Sequence, residues 1–342
     1  MPALGILPCS SRRKLLCVSI FVAIYLQLSY VIKIRRIVPK NFNFPETKAV
    51  VCSIQTKEDA YIDEWVDYHL SIGFEKIYIY DNSENFDLKN WGEKKLSDNV
   101  WVKHFPGVNK QRSAYCDCAK WAENNNETWA AFFDIDEFLL LKKHANVKDF
   151  LLEYGPSKGA IGINWIFVGT CNATKYEPKP VTLRFQHTLL DADMHIKTIA
   201  RVKGIEQCFP HHVYYVDKNT TTIDTNGATV EGRMNKNGTM DIAVLYHYHY
   251  KSREEYIAKR ERGGSHIDKR TPVGKKIFDE KLRHAKNDQL PVGDTFDESI
   301  WQILKTRVPK YGFLEDNGIK QRLSVYLRMF MHYLYPKTWF AF

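Results

Sequence analysis

Acidic residues are missing from the first forty positions of this chain, where seven basic ones stand (Arg12, Arg13, Lys14, Lys33, Arg35, Arg36, Lys40). The formal charge of +9 is therefore a property of one end, and only +2 is left over the other 302 residues. A nucleic-acid binder spreads lysine and arginine over a face, so this distribution argues against nucleic acid as a partner. Internal repeats and low-complexity stretches are also lacking, and disorder, collagen and coiled coil are poor descriptions. Cysteine is sparse, at 7 residues. Cys116 and Cys118 are too close for a comfortable mutual disulfide, and no second pair at zinc-finger spacing accompanies them. What is present is 44% hydrophobic and 13% aromatic residues in a chain of 342, enough for a sizeable core in one large domain or two ordinary ones.

The basic end encloses Leu15 to Ile32, eighteen residues without a charge. At 1.5 Å per residue they cover about 27 Å, close to the roughly 30 Å hydrocarbon core of a bilayer. The run is longer than a signal-peptide core and no small-x-small cleavage site follows, so a retained anchor is expected over a cleaved signal. Basic residues flank both ends, and the charge bias barely decides orientation. Everything that could fold lies after the span. The economical arrangement is a cytosolic tail (1–14), a transmembrane anchor (15–32), a polar stem (33–47) and a lumenal body. Asn-x-Ser/Thr sequons at Asn126, Asn172, Asn219 and Asn237 all follow the span. So do Cys52, Cys116, Cys118, Cys171 and Cys208, which can form at most two pairs.

From Lys48 the pattern alternates. AVVCSIQ reads as a buried strand, EDAYIDEWVDYHLSIG as a helix closing on Gly73, EKIYIYD and VWVKHF as strands. KQRSAYCDCAKWAENNN reads as a helix, and TWAAFFDIDEFLLL as a fourth strand running into charged residues. This spacing predicts an open α/β sheet, mostly parallel. Beyond residue 150 the alternation loosens. AIGINWIFVG and VTLRFQH resemble strands, Thr220 to Gly238 is rich in turn residues, and helices resume with SREEYIAKRERG, ESIWQILKTR and RLSVYLRMFMHYLYP. The expected boundaries are a domain over 48–265 and a helical region over 266–342 packed on it.

The sharpest chemical signal is FFDIDEF, Phe132 to Phe138, in which Asp134, Asp136 and Glu137 follow a run that must be buried. Ligands of open α/β sheets bind outside the carboxyl ends of the strands. Two carboxylates two positions apart at such an end can face Mn²⁺ or Mg²⁺ together, and these ions keep positions open for phosphate. Solvated carboxylates capping a strand are the plain alternative.

Four blocks occur in order: YIDEWVDYHLSIGFEKIYIYDNS, QRSAYCDCAKW, FFDIDEFL and YHYHYKSREEYIAKRERGG. Together, over Val50 to Gly264, they resemble glycosyltransferase family 92 and related GT-A-fold, glycosyltransferase 2-like proteins. The resemblance implies a UDP-sugar donor, transfer with inversion, Mn²⁺ held by the Asp-x-Asp, and a Golgi location by one amino-terminal span. By position it places Gln55, Lys57 and Glu58 at the end of the first strand, with Asp81 and Asn82 at the second, in the nucleotide row. An ordinary Asp-Asn-Ser turn is an equal reading of the latter. Gln111 and Arg112 open the next helix, where Arg112 could face a phosphate. Asp134, Lys197 and Lys251 complete the expected donor site. INWIFVG departs from the family's Trp-x-x-Phe-Gly at Val168.

His247 matches the family's His-Tyr-x-x-Lys-Ser and is expected as the third metal ligand beside Asp134 and Asp136. His249 is its neighbour at strand period. His211 and His212 have a surface reading as well as a site reading. A base for the acceptor hydroxyl must come from a carboxylate or histidine, and Asp191, Asp193 and Glu231 all remain open. The expectation is a single-span type II Golgi glycosyltransferase moving a sugar, galactose first, to a glycan or glycoprotein acceptor. The alternative is a membrane-tethered carbohydrate-binding protein that lost catalysis. The intact Asp134/Asp136 pair and the basic Lys251, Lys259 and Arg260 weigh against it.

Overall fold

The computed structural model describes residues 47–95, 99–156, 159–262, 272–287 and 289–314. The expected anchor over Leu15–Ile32, its tail, the stem up to residue 46 and the final apolar run near the carboxyl end lie outside them. Among the described residues no helix is long and apolar enough to cross a membrane.

The first half is built as the alternation predicts. β1 (Ala49–Gln55), β2 (Lys76–Asp81), β3 (Val100–His104) and β4 (Trp129–Phe132) run parallel in the order β3-β2-β1-β4. α1 (Asp59–Ser71), α2 (Lys89–Lys95) and α3 (Gln111–Asn124) connect them. The short α2 was not anticipated. Period-two burial explains why both sheet faces are covered. Val51, Ile77 and Ile79 pack with Ile62, Trp65 and Val66 of α1, while Val50, Cys52, Tyr78 and Tyr80 meet Ala114, Cys118, Ala119 and Ala122 of α3. Fully burying each large apolar side chain contributes about 1.5–3 kcal/mol. The small residues of α3 let it approach closely, and a disulfide joins Cys118 to Cys52 of β1. Gly73 ends α1 at φ +100°, a left-handed C-terminal position that glycine takes without strain.

The second half completes a mixed sheet. β8 (Asp193–Arg201) is antiparallel to both β4 and β6 (Ala160–Phe167). β6 carries β11 (Thr222–Ile223) and β13 (Ala243–His247) on its other edge, both parallel. β12 (Thr229–Val230) extends β11, and β5 (Glu137–Leu141) is antiparallel to β13. Trp129–Leu141 is thus two strands rather than the one expected: the chain turns at Asp134–Asp136, with the Glu137 N–H bonded to the Asp134 carbonyl at 3.0 Å. β9 (Ile205–Cys208) and β10 (Val213–Tyr215) form a separate hairpin over α3.

Of VTLRFQH only the last residue enters a strand, β7 (His187–Thr188), which pairs antiparallel with β14 (Thr295–Phe296). The first residues of VTLRFQH form the single turn α5 (Val181–Arg184), because the buried Glu64 carboxylate of α1 accepts from Val181 N at 2.6 Å and Thr182 N at 2.9 Å. A distant side chain caps this turn and overrides its β-branched composition. α4 (Val147–Tyr154) starts on an Asn146 cap, and α6 (Arg253–Arg262) follows β13. α7 (Pro272–Lys286), absent from the sequence expectation, precedes α8 (Ser299–Arg307). Trp301 and Leu304 of α8 enter the core beneath α1, and Tyr311 donates to Asp67 of α1 at 2.8 Å.

Candidate active site

The strand directions bring the chemistry to one edge. The carboxyl ends of β1, β2, β4, β6 and β13 and the amino ends of β5 and β8 all meet there, the edge at which α/β sheets present ligands.

Asp136 is the centre of the arrangement. It is buried at 5% exposure in the β4–β5 turn and is surrounded by cations and imidazoles. Lys259 of α6 donates to its Oδ2, with His247 Nε2 at 3.5 Å and Lys251 Nζ at 3.8 Å from the same oxygen. Burial pushes this carboxyl up, but Lys259, His247 and Lys251 outweigh it and hold it well below the usual range. His247 and His249 add nitrogens to Asp136's oxygen such that all three donor atoms lie within 4.8 Å of one another. Burial drives both imidazoles below their ordinary pKa, and Asp136 only partly offsets this at His247. Neutral imidazole is the ligating form. His247 Nδ1 is buried without a hydrogen-bond partner. A carboxylate already holding an ammonium, two neutral imidazoles and an orphaned ring nitrogen together fit a divalent cation.

Asp134 makes a separate set of contacts. Its Oδ1 accepts from Gln111 Nε2 at 2.9 Å and Tyr115 OH at 3.0 Å, and its Oδ2 faces Lys197 Nζ at 2.9 Å. It is not one of the three converging donors. Lys197 is fully buried between Asp134 and Glu137, the latter at 3.5 Å. Burial raises the Glu137 carboxyl well above its ordinary value despite Lys197, and its Oε2 accepts the Asp134 N–H at 2.9 Å. Lys197 keeps its charge, because its two carboxyl neighbours outweigh burial.

The remaining expected donor residues divide. Glu58 faces Lys251 at 3.7 Å and bonds Arg262 of α6, which also donates to the Lys57 carbonyl at 2.6 Å. Lys251 adopts φ +54°, a left-handed backbone that costs a side-chain-bearing residue about 1 kcal/mol; the turn directs its buried ammonium over the Tyr61 ring. Gln55, Asp81 and Asn82 knit the loops. Asp81 accepts from Gln55 Nε2, Ser83 N and Leu88 N, and Asn82 donates to the Phe105 and Gly107 carbonyls. Arg112 is turned away from Asp136: Nε donates to the Cys208 carbonyl at 3.3 Å and the guanidinium stacks 3.9 Å over Phe209.

Of the three base candidates, Asp191 and Glu231 are exposed. Asp193 instead meets a residue that the sequence reading passed over, His195. Asp193 Oδ1 accepts from His195 N at 2.8 Å and pairs with its Nδ1 at 2.6 Å. The His195 ring stacks on Trp165 at 5.2 Å, and Trp165 meets His247 at 4.4 Å. His211 fills the same aromatic wall, bonded to the Ile196 carbonyl and kept neutral by burial. Asp-x-His on a strand was the available sequence signal, because period two puts both side chains on one face.

A mixed, mostly parallel sheet with carboxylates, imidazoles and ammonium groups converging at its strand ends defines an open α/β protein with a polar site at that edge. The chain belongs to glycosyltransferase family 92, which it matches over residues 48–291. Relatives of that family are 27% identical over 48% of this chain in Oryza sativa subsp. japonica and 24% identical over 61% in Arabidopsis thaliana. A third, in Ricinus communis, is 23% identical over 64%. The chain spans only 29%, 36% and 38% of those relatives' own lengths, in the same order. Among solved structures, residues 1–349 of S. aureus TarS overlap with a TM-score of 0.36 at 13% identity, covering 70% of this chain and 71% of that one. An overlap that low adds nothing to the fold described above.

Proposed function

We propose that this chain transfers a sugar, galactose first, from a UDP-sugar to a glycan or glycoprotein hydroxyl with inversion, and that it does so in the Golgi lumen on a single amino-terminal anchor. The observation that carries the reading is Asp136: a buried carboxylate at the strand-end turn, faced by Lys259, Lys251 and His247. Such a cluster serves a polyanionic leaving group. Asp136, His247 and His249 would hold Mn²⁺, which when bound supplies positive charge to the departing diphosphate. Lys251, Lys259, Arg260 and Arg262 line the same side and can pair with phosphate oxygens. Tyr115, Gln111 and Lys197 fix Asp134 at the corner beneath.

The proton of the acceptor hydroxyl goes to His195 Nε2. Asp193 holds the opposite nitrogen, Nδ1, as the N–H and leaves Nε2 as the acceptor. Trp165 beside His195 gives an apolar face on which a sugar ring can stack.

The lumenal placement is supported by the uncharged run Leu15–Ile32, by the Cys52–Cys118 disulfide and by exposure of all four sequon asparagines. Release of UDP from a panel of UDP-sugars, with and without Mn²⁺, tests the catalytic reading. Turnover that is lost in Asp136→Asn is expected; binding of UDP without turnover of any donor returns the carbohydrate-binding alternative. Glycosidase treatment of membrane-expressed protein should lower its apparent mass, and digestion of the body by protease outside sealed vesicles would overturn the lumenal placement.

A further inference from the structure

Three cysteines of the described body stand outside the Cys52–Cys118 bond: Cys116, Cys171 and Cys208. Two of them face each other. Arg112 and Cys116 are one turn apart on α3 and so share a face, and Arg112 ties that face to the β9–β10 hairpin through the Cys208 carbonyl at 3.3 Å. Cys118, two residues further on and about 200° around the helix, points to β1 instead. Cys116 and Cys208 line one small cavity together with Ala119, Val202 and Ile205. Cys116 packs there against the buried cluster that contains Cys208, Val202 and Val213. Cys171 is elsewhere, against His187 Nδ1 at 3.5 Å.

We propose that Cys116 and Cys208 form a second disulfide, which joins α3 to the β9–β10 hairpin. The oxidant is a small-molecule disulfide of the glutathione class, or a thiol oxidase supplying the same exchange. The Cys116 thiolate attacks a donor sulfur and expels one donor thiolate. Cys208, as its thiolate, then attacks the Cys116 sulfur of the mixed disulfide and expels the second. One S–S bond forms, one breaks, and the two cysteine protons end on the two donor thiols. The neighbouring Cys208 lowers the Cys116 thiol pKa and its own is raised, which makes Cys116 the attacking partner. The neighbouring bonds from Cys118 and Cys116 then clamp α3 from both sides, sheet and hairpin, and α3 is the helix that carries Gln111 and Tyr115 to Asp134.

Peptide mapping of the full chain without reduction tests this, on protein secreted or equilibrated with oxidised glutathione. Cleavage before Asp117 is needed, because it separates Cys116 from Cys118. The expected result is a Cys116–Cys208 linked peptide, two hydrogens lighter than its parts, beside a separate Cys52–Cys118 species. In Cys208→Ser, Cys116 should become open to alkylation and the thermal midpoint should fall by about 5 °C, with Cys52–Cys118 retained. Quantitative alkylation of Cys116 and Cys208 in the oxidised wild type overturns the proposal, as does either one bonded to Cys171 or left as a glutathione adduct. The wild-type map decides even if the variant fails to fold.

Discussion

Lys259→Met should change metal and nucleotide affinity in opposite directions. The Lys259 ammonium donates to Asp136 Oδ2, the oxygen that His247 Nε2 approaches to 3.5 Å. A divalent ion held by Asp136, His247 and His249 would compete with the ammonium for that carboxylate. A hydrogen bond between charged groups contributes about 1.5–3 kcal/mol. The lower figure applies here, because Lys251 Nζ at 3.8 Å takes over part of the pairing. Removing the competitor should therefore tighten Mn²⁺ binding by about 1.5 kcal/mol, or roughly tenfold. With Mn²⁺ saturating, the freed Lys259 would otherwise pair with the diphosphate, so UDP affinity should weaken by at least about tenfold. Mn²⁺ binding is read from the free-ion electron paramagnetic resonance signal, and UDP binding by titration calorimetry. Unfolding would weaken both, so the opposed signs isolate the mechanism. Unchanged Mn²⁺ affinity in a folded Lys259→Met protein would refute the competition.

Lys197→Met leaves the charged Asp134 without its ammonium beside the buried Glu137, and should destabilise the protein by about 3–5 kcal/mol in urea unfolding; a loss under about 1 kcal/mol would show that water or another cation replaces it. His69 is buried, donates from Nδ1 to the Trp65 carbonyl at 2.9 Å and is held down to about 3 by burial. Below its ordinary value of 6.5 the unfolded chain takes up a proton that the folded one refuses, so its contribution is intact above pH 6.5 and is lost as pH falls toward 3. Between pH 7 and 5 this amounts to about 2 kcal/mol, and His69→Gln should flatten the pH dependence of stability by that much; parallel curves would contradict it. His195→Gln should lower kcat by about 10²–10⁴ at unchanged UDP affinity, and Asp193→Asn should lower kcat with UDP affinity likewise unchanged. Loss of UDP binding in either would assign the pair to structure.

The parallel strands were legible because their apolar residues alternate with period two or run unbroken, signals local enough to survive without a fold. Ala49–Gln55, Lys76–Asp81 and α3 follow from such patterns. The Asp134–Asp136 turn was legible as carboxylates at the end of an apolar run. The Asp136–Lys259 contact was not, since 123 residues separate the partners. Nor was the α5 turn, whose cap comes from 118 positions away at Thr182. Periodicity describes which face a side chain occupies, and only strand order decides what it meets there. Asp134 and Asp136 read as equivalent carboxylates in the sequence. Folding distinguishes them, because the antiparallel β8 brings Lys197 beneath one and the turn after β13 brings Lys251 and α6 against the other. Titration follows the same rule: the Glu137 carboxyl is pushed up by burial and the Lys197 ammonium is held by neighbours that no local window contains.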